Sequence, residues 1–283
     1  MEMNILGVVG SPRKGGNCEI MVKEISRRID VPHQLNLLRL PDFNLRQCIG
    51  CYRCLFKQKR CILKDDLQTV LKAICDADAL ILAAPTYIFG AHACLKLFVD
   101  RALCFYGQAE QLWGKPAVGV GIAGIEGREG NTLLDIERVL MALHADNRLS
   151  KIIYGALPGE TMYHEGNRQA AAELAAALFA PGKVKRDPHC RFCSGETFRF
   201  LEQGRVRCML CSATGRLLEQ DGRMVFQLAS DEHEIFTNEA AGIEHFEWLR
   251  GMVGRFNDEK ERLKEIVQGY SDEGAWIRPD GGE

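Results

Sequence analysis

Two short clusters hold eight of the twelve cysteines, and these are the residues whose spacing most clearly indicates chemistry. Cys48, Cys51, Cys54 and Cys61 follow the pattern C-x2-C-x2-C-x6-C within one loop. Neighbouring thiolates repel one another, and a metal centre removes that repulsion. Because bacterial ferredoxin ligands also begin C-x2-C-x2-C, the spacing favours a [4Fe–4S] cluster, with zinc or free thiols as the alternatives.

The second cluster consists of two C-x2-C pairs, Cys190 with Cys193 and Cys208 with Cys211. Each pair lies at the end of a predicted β-hairpin, an arrangement typical of a tetrahedral four-cysteine metal site. One hypothesis is a zinc ribbon that stabilises a small subdomain, and the other is a rubredoxin-like iron site that transfers electrons. Zinc is favoured, because glycine usually follows a rubredoxin cysteine pair and serine follows both pairs here.

A glycine-rich turn, GSPRKGGN from Gly10 to Asn17, follows the first apolar segment and precedes a predicted helix. Its glycines let a ligand approach the backbone, Ser11 and Asn17 can donate hydrogen bonds, and Arg13 supplies positive charge. The start of the helix also presents free N–H groups to an anion. The turn lacks the Lys-Ser/Thr of a P-loop and lacks G-x-G-x-x-G. We therefore expect it to bind a phosphate group without nucleotide triphosphate chemistry; a glycine turn without a ligand is the alternative.

A second loop, PTYIFGA at residues 85–91, follows a later buried strand at the same predicted edge of the sheet. Its aromatic rings and exposed amides suit a planar heterocycle, although Tyr87 and Phe89 taken alone are more typical of packing residues. A third loop, residues 124–130, follows the next strand and can close over such a ring. For His92, beside the second loop, a role at the start of a helix is favoured over contact with substrate.

Buried apolar segments alternate with segments of helical periodicity over the first two-thirds of the chain, which predicts a doubly wound α/β domain with a five-stranded parallel sheet. Ligands of such sheets bind outside the carboxyl ends of the strands, where these loops lie. The predicted strands are residues 3–10, 33–40, 79–85, 117–123 and 151–158. The predicted helices are residues 17–29, a helix beginning at Asp65 or Asp66, and residues 92–104, 132–144 and 168–180.

The pattern changes after a predicted linker, Pro181–Pro188. Two strand–turn–strand segments follow, with turns at residues 203–204 and 221–222. Residues 238–268 then form a long amphipathic helix that is expected to cover the sheet or to form an oligomer contact. The sequence thus predicts three parts, described by their residue ranges. They are a doubly wound α/β domain at 1–183, a small β-rich four-cysteine ribbon at 184–230 and a helical extension at 231–283.

Three motifs in order resemble the iron–sulfur flavoprotein branch of the NADPH-dependent FMN reductase family: GSPRKGGN, the quartet at 48–61 followed by KDD, and APTYIFGAHACLKLFVDR. The resemblance covers about residues 3–180. It implies a flavodoxin-like fold that binds FMN, with a [4Fe–4S] cluster on the compact quartet near a subunit interface. The implied FMN contacts come from Ser11, Arg13, Gly16 and Asn17 for the phosphate, and from Pro85, Thr86, Tyr87, Phe89 and Gly90 for the isoalloxazine ring.

One position departs from the family pattern. Ser or Thr usually follows the asparagine of the phosphate turn, and here the residue is Cys18, whose backbone amide is still available to the phosphate. Lys96, Asp100 and Arg101 match the family signature LK-x-F-x-DR, which we interpret as a helix face that helps to build the dimer.

Together, the resemblance and the cysteine spacing predict an FMN-dependent oxidoreductase. Electrons would pass between NAD(P)H or a ferredoxin and a small-molecule or protein acceptor through [4Fe–4S] and FMN. One alternative is a cluster-free NAD(P)H:quinone or FMN reductase whose cysteines bind zinc, and another is a non-enzymatic electron carrier or redox sensor. Hydride transfer to a flavin demands no acid or base from the protein, so no catalytic side chain is predicted.

The composition is that of an ordinary globular chain, with 46% apolar and 26% charged residues. A net charge of −2 offers no basic footprint for nucleic acid or anionic lipid. The sequence shows neither a leader pattern nor an apolar run of membrane-spanning length, which predicts a cytoplasmic protein. A homodimer or homotetramer is expected.

Overall fold

The computed structural model describes residues 2–56, 60–182, 188–229, 238–271, 273–275 and 277. Strands and helices alternate in its first part, as predicted. The strands of that part are β1 (Met3–Val9), β2 (His33–Arg39), β3 (Ala79–Tyr87), β4 (Gly90–Ala91), β5 (Pro116–Ala123) and β6 (Asp146–Tyr154). The helices are α1 (Asn17–Arg27), α2 (Leu67–Asp76), α3 (Ala93–Val99), α4 (Ala109–Leu112), α5 (Thr132–Ala142) and α6 (Glu165–Phe179).

Five strands form a parallel sheet in the order β2-β1-β3-β5-β6, and the short β4 pairs antiparallel with the end of β3. This order confirms the predicted flavodoxin-like, doubly wound sheet. The inner strands are runs of small and β-branched residues because helices cover both of their faces. One face packs on α1 and α6, and the other packs on α2, α3 and α5.

Two elements differ from their predicted bounds by more than three residues. β6 begins at Asp146 rather than at 151, because the polar segment before Lys151 still pairs with β5 at the edge of the sheet, across a register shift. α3 ends at Val99 rather than at 104, and a 3₁₀ segment, Ala102–Gln108, follows it. The irregular backbone places Arg101 and Cys104 beside the cysteine loop that precedes α2.

A second, antiparallel sheet contains the C-terminal cysteine pairs. Its order is β10-β9-β8-β7, and its small core includes Cys190, Val206 and Cys208. The turn between the last two strands has positive φ at both central residues, Asp221 and Gly222, as the hairpin prediction requires. The strands of this sheet are β7 (Phe198–Phe200), β8 (Arg205–Cys208), β9 (Thr214–Gln220) and β10 (Arg223–Ala229).

Helix α7, Glu239–Gln268, forms the C-terminal part, as predicted. Its Phe246 ring packs on Tyr106 with centroids 4.9 Å apart, whereas the side chains beyond Val253 are almost all exposed. No helix in the described ranges is both long and apolar enough to cross a membrane. Most of the predicted linker, and the boundaries at 183/184 and 230/231, lie outside the described residues, so the three-part division stays a prediction.

Candidate functional site

The glycine-rich turn lies at the carboxyl edge of the sheet. At this point the chain leaving β1 leads to β2 on one side, and the chain leaving β3 leads to β5 on the other side. The Gly10 amide donates a 2.7 Å hydrogen bond to the Ala83 carbonyl, which fixes the start of the turn to β3. Gly16 is the N-cap of α1, and no side chain caps that helix. The first amides of α1 therefore remain available to an anion, as the phosphate prediction requires.

A half-buried cation, Arg39, binds two backbone carbonyls of the turn. Arg39, the last residue of β2, donates to the Arg13 carbonyl at 2.7 Å and to the Ser11 carbonyl at 3.4 Å. It also pairs with the Glu19 carboxylate at 2.7 Å, and that carboxylate accepts from the Gly15 amide at 2.9 Å. These contacts shape a turn whose amides can face a phosphate.

Hydrogen bonds from Lys23, the Gly15 amide and Arg39 lower the pKa of Glu19 to about 2, so the Glu19 carboxylate is charged at neutral pH. Sequence analysis missed both Arg39 and Glu19. The available signal was their position, one at the carboxyl end of a strand and the other in the first turn of α1.

Asn17 holds a neighbouring loop with its whole side chain. Its Nδ2 group donates to the carbonyls of Gly155 and Leu157 at 3.0 and 2.9 Å. Its Oδ1 atom accepts from the Gly159 amide at 2.8 Å and from the Thr161 hydroxyl at 3.3 Å. The carboxamide is thus engaged by the loop after β6, and the group that Asn17 offers to the cleft is its backbone amide.

Cys18 is buried, with 2% of its surface exposed. Burial, with a further contribution from Cys94, raises the pKa of its thiol to about 12. A neutral thiol brings no negative charge near the phosphate position. The substitution of cysteine for the family's hydroxyl residue is therefore compatible with an anion bound by the α1 amides.

The aromatic loop is a tight hairpin formed by β3 and β4. Its two central residues, Ile88 and Phe89, have φ of 47° and 61°, a conformation that is strained for a β-branched residue. Three hydrogen bonds to α5 and its N-terminus hold the hairpin. They join Thr86 Oγ1 to Thr132 Oγ1 (2.8 Å), the Asn131 amide to the Phe89 carbonyl (2.7 Å), and the Ala91 amide to the Asp135 carboxylate (3.0 Å).

The two loops enclose one side of a cleft of about 220 Å³ at the topological switch point. Eight of the ten predicted FMN contacts line it, whereas Phe89 and Gly90 do not. Ile122, the third loop and the loop after β6 complete the lining, and sequence analysis had missed the last of these. The residues that line the cleft are Ser11, Arg13, Gly16, Asn17, Cys18, Pro85, Thr86, Tyr87, Ile122, Gly124, Gly155, Ala156 and Pro158.

Phe89 and Gly130 explain how the second and third loops meet. A Cβ atom on Gly130 would lie 2.2 Å from the Phe89 carbonyl oxygen, so only glycine permits this contact.

His92 caps α3, because its Nδ1 atom accepts from the Cys94 amide at 3.3 Å. Burial lowers the pKa of His92, which keeps the ring neutral for that role.

The cysteine loop forms a second cavity, of about 180 Å³, and all four predicted ligands line it. Cys48 and Cys51 are exposed, whereas Cys54 and Cys61 are half-buried. Asp65 anchors the loop: it accepts from the Arg46 amide at 2.9 Å and pairs with buried Arg101 at 2.6 Å. Burial opposes ionisation of Asp65, but these hydrogen bonds hold its pKa below the ordinary value.

The ribbon cysteines are much closer together. Among the described residues, only these four bring candidate ligand atoms of a metal site within 4.8 Å of one another. The Sγ atoms of Cys190 and Cys211, and those of Cys193 and Cys208, are each 3.5 Å apart. A tetrahedral ion with metal–sulfur bonds of ~2.3 Å needs sulfurs at about this separation. The ribbon therefore suits one ion, and the wider quartet suits a larger centre with several metal atoms.

Comparisons with known proteins agree with this geometry. The model of the family described as NADPH-dependent FMN reductase matches residues 3–150. An iron–sulfur flavoprotein of Archaeoglobus fulgidus is 29% identical over 159 residues, which are 56% of this chain and 71% of the relative. An iron–sulfur flavoprotein of Methanocaldococcus jannaschii is 36% identical over 101 residues, 35% of this chain and 52% of that protein. These matches confirm the resemblance that the three motifs predict.

A solved structure of a flavone reductase has the same overall fold. It aligns with 98% of this chain and 100% of its own, with a TM-score of 0.70 and 16% sequence identity. The alignment extends beyond the matched family segment into the ribbon and α7. The combination of a flavodoxin-like core with these two additions therefore has a counterpart of known structure.

Proposed function

Because this chain belongs to the NADPH-dependent FMN reductase family and is an FMN-dependent oxidoreductase, we propose that it passes electrons between NAD(P)H or a ferredoxin and a small acceptor through FMN and a [4Fe–4S] cluster. The observation that carries the proposal is the cleft at the switch point, which joins an uncapped helix N-terminus to an aromatic hairpin. FMN, when bound, supplies both one- and two-electron transfer.

Different residues of the cleft are proposed to bind the phosphate and the isoalloxazine ring of FMN. The α1 amides and Arg13 bind the terminal phosphate, while Arg39 and Asn17 hold the surrounding backbone in place. Pro85, Thr86 and Tyr87 line the cleft where the isoalloxazine ring is proposed to bind. Phe89 and Gly90 act indirectly, by closing the turn that positions Tyr87.

The cysteine loop fits an iron–sulfur cluster in three respects. Its four thiols line one cavity, their separation exceeds that required around a single ion, and the buried Arg101 lies beside them. Cys48, Cys51, Cys54 and Cys61 would be the ligands. The ribbon is proposed to hold a single zinc ion, with iron as the alternative, because its sulfurs already have the spacing of a tetrahedral site.

Anaerobic purification followed by flavin, iron, zinc and sulfide analysis tests the cofactor assignment. We expect one FMN, about four irons with matching sulfide, and one further metal ion per chain. Visible absorbance that is lost in Cys51→Ser with FMN retained would identify the cluster. Zinc without sulfide would instead support the cluster-free reductase, and a colourless protein that does not take up FMN would contradict the proposal.

Steady-state oxidation of NADH and of NADPH, each with FMN-loaded protein and a quinone acceptor, tests the donor. Turnover with either nucleotide supports a reductase. Turnover with neither nucleotide, together with rapid reduction by a reduced ferredoxin, would assign the ferredoxin route. Slow reduction by all three donors would contradict the proposed electron path.

A further inference from the structure

Arg101 is the most deeply buried charged residue beside the cysteine loop. Its side chain and that of its partner Asp65 are each 1% exposed. Nη1 lies 2.6 Å from Asp65 Oδ2 and 2.8 Å from the Arg46 carbonyl, and Nη2 lies 3.3 Å from Asp65 Oδ1. The two terminal nitrogens of the guanidinium are thus occupied by the base of the loop.

The third guanidinium nitrogen of Arg101, Nε, takes no part in these hydrogen bonds. Arg101 Nε is buried and has no hydrogen-bond partner among the described residues. Arg101 also lines the cavity that the four cysteines line, together with Cys104. An arginine that only joined the loop to the end of α3 would need the Asp65 fork and nothing more. A buried donor without an acceptor is unfavourable, which indicates that the cavity contents normally supply one.

The electrostatic environment supports the same conclusion. An arginine guanidinium keeps its proton throughout the pH range in which proteins are folded. A permanent donor and positive charge are placed against a cavity whose natural content, four thiolates with metal, is anionic.

We propose that Arg101 is a positioning residue for the metal–thiolate centre of the cysteine loop, to which it presents its spare donor and charge and whose reduction potential it raises. The inference rests on the proposed [4Fe–4S] cluster. Adding one electron to an anionic centre adds one negative charge and moves no proton here. A fixed cation nearby stabilises the more negative state, and hydrogen bonds toward the sulfurs act in the same direction.

Asp65 has a distinct part in this arrangement. Its carboxylate holds the two terminal nitrogens of the Arg101 guanidinium in place. It also balances the charge of Arg101 when the loop holds no metal. Removing Arg101 alone would leave Asp65 as an unpaired buried anion. The informative change is therefore the double variant Arg101→Gln with Asp65→Asn, accompanied by Arg101→Lys, which keeps the charge but lacks the Nε donor.

A second arginine with a buried Nε atom, the half-buried Arg148, provides the control. Arg148 pairs with Asp146 at 3.0 Å, and its Nε is likewise buried without a hydrogen-bond partner among the described residues. It lines neither the cleft nor the cysteine cavity. The variant Arg148→Gln with Asp146→Asn removes an arginine–aspartate pair of the same kind, with side chains 18% and 30% exposed, and leaves the cysteine loop untouched.

The experiment measures iron and sulfide per chain, FMN content, and the midpoint potential of the iron centre in anaerobic titrations followed by electron paramagnetic resonance. We expect the Arg101/Asp65 double variant to keep FMN and to show a lower midpoint potential and faster iron loss to a chelator. Arg101→Lys should fall between it and the wild type. The Arg148/Asp146 control should match the wild type in iron, sulfide and FMN content, in midpoint potential and in the rate of iron loss to the chelator.

The outcomes separate the two claims. Wild-type protein without iron and sulfide would overturn the cluster itself, and the Arg101 assignment with it. Wild-type protein with a cluster whose potential and iron retention are unchanged in the double variant would overturn only the role of Arg101. If the double variant does not fold, as judged by loss of FMN, Arg101→Lys decides, and an unchanged potential in that variant overturns the inference.

Discussion

Asn17 has no side-chain group left for a ligand, because its carboxamide makes four hydrogen bonds to the loop that follows β6. The first turn of α1 therefore keeps its place through a contact with residues about 140 positions away. Arg39 and Glu19 act in the same way on the other side of the turn. At the scale of residues, side chains hold the backbone around the cleft in place, which leaves the amides at the start of α1 available to the proposed FMN phosphate.

Asn17→Ala tests this arrangement. We expect the dissociation constant for FMN to rise by about tenfold, since losing ~1–2 kcal/mol of loop positioning corresponds to that factor. Fluorescence titration of the apoprotein with FMN measures it. Asn36→Ala is the control, because Asn36 bonds only to Asn4 in the hydrogen bonds described for its side chain and lies away from the cleft. Equal affinity in Asn17→Ala and the control would contradict the role of Asn17.

Glu19 predicts a specific dependence of stability on pH. Hydrogen bonds from Lys23, the Gly15 amide and Arg39 lower its pKa from 4.5 to about 2 in the folded protein. A lowered pKa means that its contribution is complete above about pH 4.5 and is lost as the pH falls toward 2. The free energy of unfolding of Glu19→Gln should therefore be below that of the wild type at pH 6, and the difference should shrink at acidic pH. A difference that is constant from pH 6 to pH 2.5 would refute the assignment.

Helix α5 is the element that connects the second and third loops of the cleft. Its N-terminal half and the residue before it hold the aromatic hairpin at three points, through Asn131, Thr132 and Asp135. The same helix contacts the ribbon, because Arg138 donates to the Met209 carbonyl at 3.2 Å. The hairpin can keep left-handed Ile88 and Phe89 because these surrounding contacts over-determine its shape.

Ile88→Asn tests whether that strain is present in the folded protein. Ile88 is 93% exposed, so its removal costs little packing, and asparagine tolerates positive φ better than a β-branched residue. We expect the FMN-free protein to gain about 0.5–1 kcal/mol in free energy of unfolding, measured by urea denaturation. Ile125→Asn, at an exposed isoleucine without positive φ, should not show this gain. A loss of stability at Ile88 would argue against strain.

The whole molecule joins a family core to two additions outside the matched segment 3–150. Among its described residues, the ribbon has five buried core residues, two of them cysteines, with partly buried apolar side chains around them. So small a core is marginal for holding four strands by hydrophobic burial alone. Its metal site should therefore contribute much of its stability. The proposed FMN cleft, by contrast, is lined by strand ends of the parallel sheet, by the loops that follow them and by the first residues of α1.

Cys208→Ser should accordingly remove the ribbon metal and leave the flavin site intact. We expect loss of one metal ion per chain and faster proteolysis within residues 188–229, with FMN content unchanged. NAD(P)H oxidation should stay within about twofold of the wild type, since a structural zinc transfers no electrons. Metal analysis, limited proteolysis and steady-state kinetics measure these quantities. A large fall in electron transfer with FMN still bound would instead support the rubredoxin-like iron.

Local patterns in the sequence determined the strands of the parallel sheet, the glycine-rich turn, the aromatic loop and both cysteine clusters. These features depend on hydrophobic periodicity and on spacings of a few residues, which any single segment displays by itself. The doubly wound arrangement and the position of the cleft also followed, because parallel βαβ units allow few arrangements. The start of β6 and the end of α3 did not follow, since an edge pairing and a buried side chain override local preference there.

Only the tertiary structure decided which residues support the sites. Arg39 meets Glu19, Asn17 meets the loop near Gly159, and Arg101 meets Asp65 across 36 residues of chain. Each pair joins segments whose sequences carry no mark of one another, because charge and hydrogen-bonding capacity are properties of single residues whereas contact is a property of the packed chain. The sequence therefore predicted the candidate binding residues, and the residues that hold their backbone in place became visible only in the folded chain.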